Sequence, residues 1–150
     1  MAHELCFKDG LEDLLSVVPR ERVVELVDLY YRWGDNRFEF GPLADRGNPL
    51  VRGQHIYDGS AHLVSLAPWN MRDHFKRGLA MGGDKMPRSL AHAMCLVVVH
   101  ELQHANQHGE RARRDASFRS GPYKGRANER DARAFADSKH DELWEFVNDG

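Results

Sequence analysis

The stretch VVVHELQHANQHG, residues 97–109, carries histidines at positions 100 and 104 and a glutamate at 101. On a helix, residues four apart project from one face, and His100 and His104 would lie about 6 Å apart along the axis. That is close enough for both imidazoles to bind one ion. Glu101 is turned by about 100° from His100, so its carboxylate can face a water on that ion. The pattern H-E-x-x-H is typical of zinc sites with two ligands and a general base on one helix.

The composition predicts one globular domain that spans residues 1–150. Hydrophobic residues make up 41% and charged residues 29%, a balance that disfavours a disordered chain. The formal net charge of −2 gives no overall attraction to nucleic acid or to a membrane surface. The longest apolar run, 93–99, is much shorter than the ~20 residues that span a bilayer. With no apolar leader and no CxxC spacing between Cys6 and Cys95, we expect a cytoplasmic protein.

The hydrophobic periodicity predicts an α+β fold with a small antiparallel sheet packed on the H-E-x-x-H helix and on a C-terminal helix. Asp58-Gly59 is a tight-turn dipeptide between two strand-like runs, and the second run is our candidate for an edge strand beside the site. The glycine- and proline-rich residues 34–50 are expected to form a loop. The predicted elements are a helix from Pro19 to Gly34, strands over 51–57 and 61–67, a helix over 87–108 that Gly109 ends, and a helix over 128–148.

A catalytic zinc site needs a third protein ligand. Glu129 is the best candidate, because it continues the buried stripe formed by Ala132 and Ala136, where a carboxylate is costly unless it is paired or bound to a metal. The alternative is that Glu129 is a helix-start charge that pairs with an arginine. Glu110 is a lesser candidate. His108 would lie about 12 Å along the axis from His100, too far to share one ion.

The two motifs together resemble those of a known family. HELQH, residues 100–104, followed by ERDARAFA, residues 129–136, is similar to the minimal zincin-like metallopeptidases of the ImmA/IrrE type, which carry H-E-x-x-H and then E-x-x-A-x-x-F-A. Arg133 stands where that family often has asparagine. The resemblance covers roughly residues 87–140. It implies a gluzincin-like site in which His100, His104 and Glu129 bind Zn²⁺ and Glu101 is the base.

The predicted activity is therefore hydrolysis of peptide bonds in a protein or peptide substrate. Glu101 would take a proton from the attacking water and return it to the leaving amine. Tyr123, in the loop before Glu129, is a candidate donor to the oxyanion, although a tyrosine that only packs against the core fits the sequence as well. His62 and His74 are weaker candidates for the same role.

Three other functions stay open at this point. The chain could be a zinc amidohydrolase for a non-peptide amide, or a noncatalytic interaction module in which zinc is a structural clip. The arginine-rich segment 111–133 could bind nucleic-acid phosphates, although it lacks the interleaved aromatic residues typical of such sites. A solvated loop is the simpler interpretation of that segment.

Overall fold

A long buried helix and a four-stranded sheet are the elements on which the other helices pack. The computed structural model describes residues 3–34, 36–43, 51–114 and 126–149, with side chains at all of these except 112–114 and 126. The elements in these ranges are β1 (Glu4–Phe7), α1 (Glu12–Leu15), α2 (Arg20–Tyr30), β2 (Arg37–Pro42), β3 (Gly53–Tyr57), β4 (His62–Leu66), α3 (Pro68–Lys76), α4 (Leu90–Arg114), α5 (Arg126–Ser138) and α6 (His140–Asn148). The α+β prediction is confirmed. Of the helices described, none has the length and hydropathy that crossing a bilayer requires.

The sheet is mixed, so the prediction of an antiparallel sheet was wrong for two of its three strand pairings. Its strand order is β1-β2-β4-β3. Strands β1 and β2 are parallel, as are β2 and β4, whereas β3 and β4 form the predicted antiparallel hairpin. Parallel neighbours need a crossover connection, and α1 with α2 supplies it between β1 and β2.

Strand β2 lies in the segment predicted to be a loop. Phe38 and Phe40 are buried, while Arg37 and Glu39 alternate with them and pair with each other at 3.1 Å. This alternation is that of a half-buried strand. It was obscured in the sequence because the four residues are flanked by glycine, proline and asparagine, which favour turns.

The edge strand beside the long helix is β3, and the expectation that residues 61–67 form that edge was wrong. β4 lies between β2 and β3, so both of its sides are paired. Within the described residues, β3 pairs only with β4, and it packs along α4. The backbone groups on the other side of β3 therefore face away from the sheet.

Helix α4 is the centre of the core. It starts after Ser89, whose hydroxyl accepts the His92 amide at 3.0 Å in the manner of an N-cap. Gly109 does not end it, contrary to the prediction. A Cβ at Gly109 would lie 2.7 Å from ring carbons of Trp33, so the glycine lets the indole pack directly on the helix backbone.

The C-terminal helix predicted over 128–148 is two helices, α5 and α6, which are separated at Lys139. The predicted buried stripe is confirmed at Ala132, Ala136 and Leu143, each with 0% exposure. Because the two alanines are small, the backbone of α5 can approach α4 closely.

His62 lies in a buried cluster of rings between the sheet and α4. Its Nδ1 is 2.9 Å from His55 Nε2, and its Nε2 is 3.2 Å from the hydroxyl oxygen of Tyr31. Burial, together with a smaller effect of His108, lowers the pKa of His62 to about 3 against the opposing charge of Asp58. The folded chain thus keeps this imidazole neutral.

We expect His62→Phe to weaken the acid dependence of stability. The unfolded chain protonates this histidine near pH 6.5 and the folded chain only near pH 3, so its contribution to stability is complete above 6.5 and is lost as the pH falls toward 3. The variant is destabilised at neutral pH, because His55 and Tyr31 lose a partner, and this deficit shrinks in acid. Urea unfolding of the metal-free proteins over a series of pH values measures it. A deficit that does not change with pH would contradict the prediction.

Candidate metal centre

Three side chains from two helices meet at one point. His100 and His104 project from α4, and Glu129 projects from the first turn of α5. The Nε2 atoms of the histidines lie 2.6 Å and 3.2 Å from the same carboxylate oxygen, Glu129 Oε1. One ligand atom from each residue can be chosen so that all lie within 4.8 Å of one another, and the group could hold a metal ion. The structure thus brings together the three candidate ligands identified from the sequence.

Each of the two imidazoles forms a hydrogen bond through Nδ1, which leaves Nε2 facing the centre. His100 Nδ1 donates to the carbonyl oxygen of Gly82 at 2.6 Å, and His104 Nδ1 donates to Gln107 Oε1 at 2.8 Å. Metal-binding histidines are commonly oriented in this way, because a donor bond from one nitrogen leaves the lone pair of the other for the ion.

Gln107 is in turn held by α5. Its Nε2 donates to Asn128 O and to Asp131 Oδ2, each at 2.9 Å. Gln103 Nε2 also donates to Asp131 Oδ2, at 2.8 Å. Asp131 thus links two glutamines of α4 to α5.

A loop that reaches across α5 supplies the Gly82 carbonyl. Asp137 accepts the backbone amides of Asp84 and Lys85 at 2.8 Å and 3.0 Å, and Arg133 Nη2 donates to Asp84 Oδ1 at 2.9 Å. Glu129, Arg133 and Asp137 are four residues apart and share one face of the helix. One stripe of α5 therefore carries a metal-binding candidate and the two residues that hold this loop.

Contact between Glu129 and His100 shifts the pKa values of both side chains. Glu129 is half exposed, and hydrogen bonding from His100 lowers its pKa to about 2 against the opposing effect of partial burial. Burial alone would lower the pKa of His100, but the bond to Glu129, the charges of Glu101 and Glu129 and the Gly82 carbonyl raise it overall. The contact between His100 Nε2 and Glu129 Oε1 is the one that a bound metal would replace.

Glu101 lies apart from this group but in the same pocket. The pocket has a volume of about 430 Å³, and its lining includes Glu101, the three candidate ligands and residues 51–54 at the start of β3. A Cβ at Gly53 would lie 3.1 Å from Glu101 Oε2, so the absence of a side chain there makes room for the carboxylate. Glu101 is only 5% exposed. It is therefore placed beside the ligands rather than among them.

The other candidates from the sequence are not brought to the centre. Tyr123 lies outside the described residues, as do residues 115–125 of the arginine-rich segment. Glu110 is exposed and does not belong to the metal-binding group. His62 and His74 are buried but do not line the pocket. Sequence reasoning missed three residues. Gly82 contacts His100 through its backbone carbonyl, Gln107 links α4 to α5, and Asp137 holds the loop.

Comparison of the chain with protein-family models, with curated proteins and with solved structures found no match. The resemblance to the zincin-like family stays a prediction.

We expect Gly82→Ala to weaken metal binding. Gly82 has φ of +79°, and an added Cβ would lie 2.6 Å from the carbonyl oxygen of Leu96, so the loop must shift and its carbonyl must leave His100. Loss of such an orienting bond weakens metal affinity about 10- to 100-fold, which competition with a chromophoric chelator measures. Gly59→Ala is the control, because Gly59 has φ of +101° but no atom within 4 Å. Equal losses in both variants would contradict the role of Gly82.

Gln107→Met is expected to weaken metal affinity by about tenfold, because His104 Nδ1 loses its acceptor. Gln103→Met is the matched control. It also removes a donor to Asp131 but leaves His104 untouched. Isothermal titration with zinc compares the two, and an equal effect would assign the loss to helix packing.

Proposed function

We propose that the chain is a zinc-dependent metallopeptidase. The observation that supports this most directly is the convergence of His100, His104 and Glu129 in a pocket that also contains the carboxylate of Glu101. Two imidazoles and a carboxylate are a donor set that zinc favours in catalytic sites. The fixed orientation of both Nε2 atoms fits the same ion.

When bound, zinc would act as a Lewis acid on the scissile carbonyl and lower the pKa of a water ligand. The remaining work falls to the chain. His100 and His104 are held rigid by the Gly82 carbonyl and by Gln107. Glu101 accepts the proton of the attacking water and delivers it to the leaving nitrogen.

Within the described residues one edge of β3 is unpaired, which favours a peptide as substrate over a small non-peptide amide. The amide of Ala67 donates to Arg52 O at 2.9 Å, which places the backbone groups of Arg52 toward β4. Because these groups alternate along a strand, those of Gly53 and His55 face the other way, toward the open edge. Gly53 lines the pocket. An extended peptide could pair with this edge and lay its backbone across the metal centre.

The pocket also favours a catalytic ion over a structural clip. Structural zinc sites have four protein ligands, whereas catalytic sites have three and keep a position open. The metal-binding group among the described residues contains three residues, and it faces a pocket rather than packed side chains.

The test is metal content and peptide hydrolysis in two variants, after loading with zinc and removal of free metal. Wild type should bind one zinc per chain and cleave a denatured protein, with products identified by mass spectrometry. Glu129→Ala should lose zinc. Glu101→Gln should keep it and lose hydrolysis by about 10²- to 10⁴-fold.

Glu110→Ala is the control for Glu129, because it removes an exposed carboxylate from the other helix and should change neither readout. A wild type that binds no zinc would refute the proposal. Zinc retained by Glu129→Ala but lost by Glu110→Ala would move the third ligand to position 110. Hydrolysis that survives Glu101→Gln would remove the glutamate from the mechanism.

A further inference from the structure

Arg52 is a charged side chain in the metal pocket whose counter-ion is not within the described residues. It lines the pocket together with His100, Glu101 and Glu129. Its Nη1 donates to the carbonyl oxygen of Ala80 at 3.0 Å and lies 3.4 Å from His74 Nδ1. No carboxylate in the described part of the chain forms an ion pair with it.

This arrangement is unfavourable unless something else compensates for it. A guanidinium has five N–H donors, and the described residues satisfy only those on Nη1. Burial lowers the pKa of Arg52, and the charge of Arg133 lowers it further, although a guanidinium stays protonated. Buried charges in folded proteins are normally paired, so a half-buried arginine that faces a pocket is suited to an anion from outside the chain.

The neighbouring charges do not serve as the partner. Arg133 lines the same pocket and repels Arg52, and its own charge is neutralised by Asp84 at 2.9 Å. Glu129 is directed to the two histidines. Two arginines thus line the pocket that contains the candidate metal centre.

We propose that Arg52 binds a carboxylate of the substrate, so that the site selects peptides with an acidic side chain or a free C-terminus near the cleaved bond. That the bound carboxylate belongs to a substrate rests on the proposed function, whereas the anion site itself does not require the metal. Arginine binds a carboxylate through two parallel N–H···O bonds, and the planar fork gives orientation as well as affinity. Because Arg52 immediately precedes Gly53, the anion would lie beside the open edge of β3.

The two sources of the carboxylate can be separated with three peptides. One is a capped pentapeptide with a central glutamate between alanines, the second has glutamine in its place, and the third is the glutamine peptide with a free C-terminus. Binding is measured by NMR titration of the Glu101→Gln chain, in which the peptides should stay intact. Each titration is run with zinc and again without metal.

We expect one of the carboxylate peptides to bind about tenfold tighter than the neutral peptide, in line with a charge-assisted hydrogen bond. Arg52→Gln should remove this preference, and Arg52→Lys should restore only part of it, because an ammonium lacks the fork. Arg77→Gln is the control. It removes the same charge just after the end of α3, outside the pocket, where Arg77 pairs with Asp73. The peptide that binds more tightly identifies the source of the carboxylate, either a glutamate side chain or a free C-terminus.

Equal binding of all three peptides, or a preference that survives Arg52→Gln, would overturn the inference. If Arg52→Gln fails to fold, the Nε–H signal of Arg52 in the Glu101→Gln chain decides, since it should shift with the preferred carboxylate peptide and not with the neutral one. Zinc content is a separate readout. Normal zinc binding without a carboxylate preference would refute the role of Arg52 alone, whereas a carboxylate preference without zinc binding would refute the metallopeptidase alone.

Discussion

The close approach of α5 to α4 is the contact on which the rest of the site depends. Ala132 and Ala136 are completely buried against the core, and a larger side chain at either would push the helices apart. Glu129 stands one turn before Ala132, so this spacing determines whether its carboxylate meets both histidines. The ligand geometry is therefore a result of helix packing, which is rigid because core atoms are packed at crystal-like density.

Helix α5 also positions the loop that orients His100. Arg133 and Asp137 hold residues 84 and 85, and through this loop they position the carbonyl that orients His100. A shift of α5 would thus move a candidate ligand and the support of another ligand together. Arg133, which departs from the asparagine often found in the resembling family, takes part in this contact. An arginine reaches Asp84 from the helix surface, and the shorter asparagine could not make the same ion pair.

The three candidate ligands could be identified from the sequence because each stands at helical spacing: the histidines are four positions apart, and the glutamate heads an alanine stripe. Strand β2, and with it the mixed sheet, could not be predicted, because the four-residue alternation of β2 is short and lies among turn-forming residues. The contact of Gly82 with His100 could not either, because it uses a backbone oxygen, which any residue could supply.

Glycines also mark the site, although only the structure separates them from the glycines of ordinary turns. A Cβ at Gly53 would crowd Glu101, and one at Gly83 would lie 2.2 Å from Asp137 Oδ1. Gly53 and Gly82 line the pocket, and Gly83 follows Gly82 in the loop that Asp137 holds. In a turn-rich segment such glycines look like loop punctuation, since turns and close approaches favour the same residue. They differ in what a methyl group would do. At Gly59 it would meet open space, whereas at Gly53 it would crowd Val97 and Glu101, at Gly82 the Leu96 carbonyl, and at Gly83 Asp137.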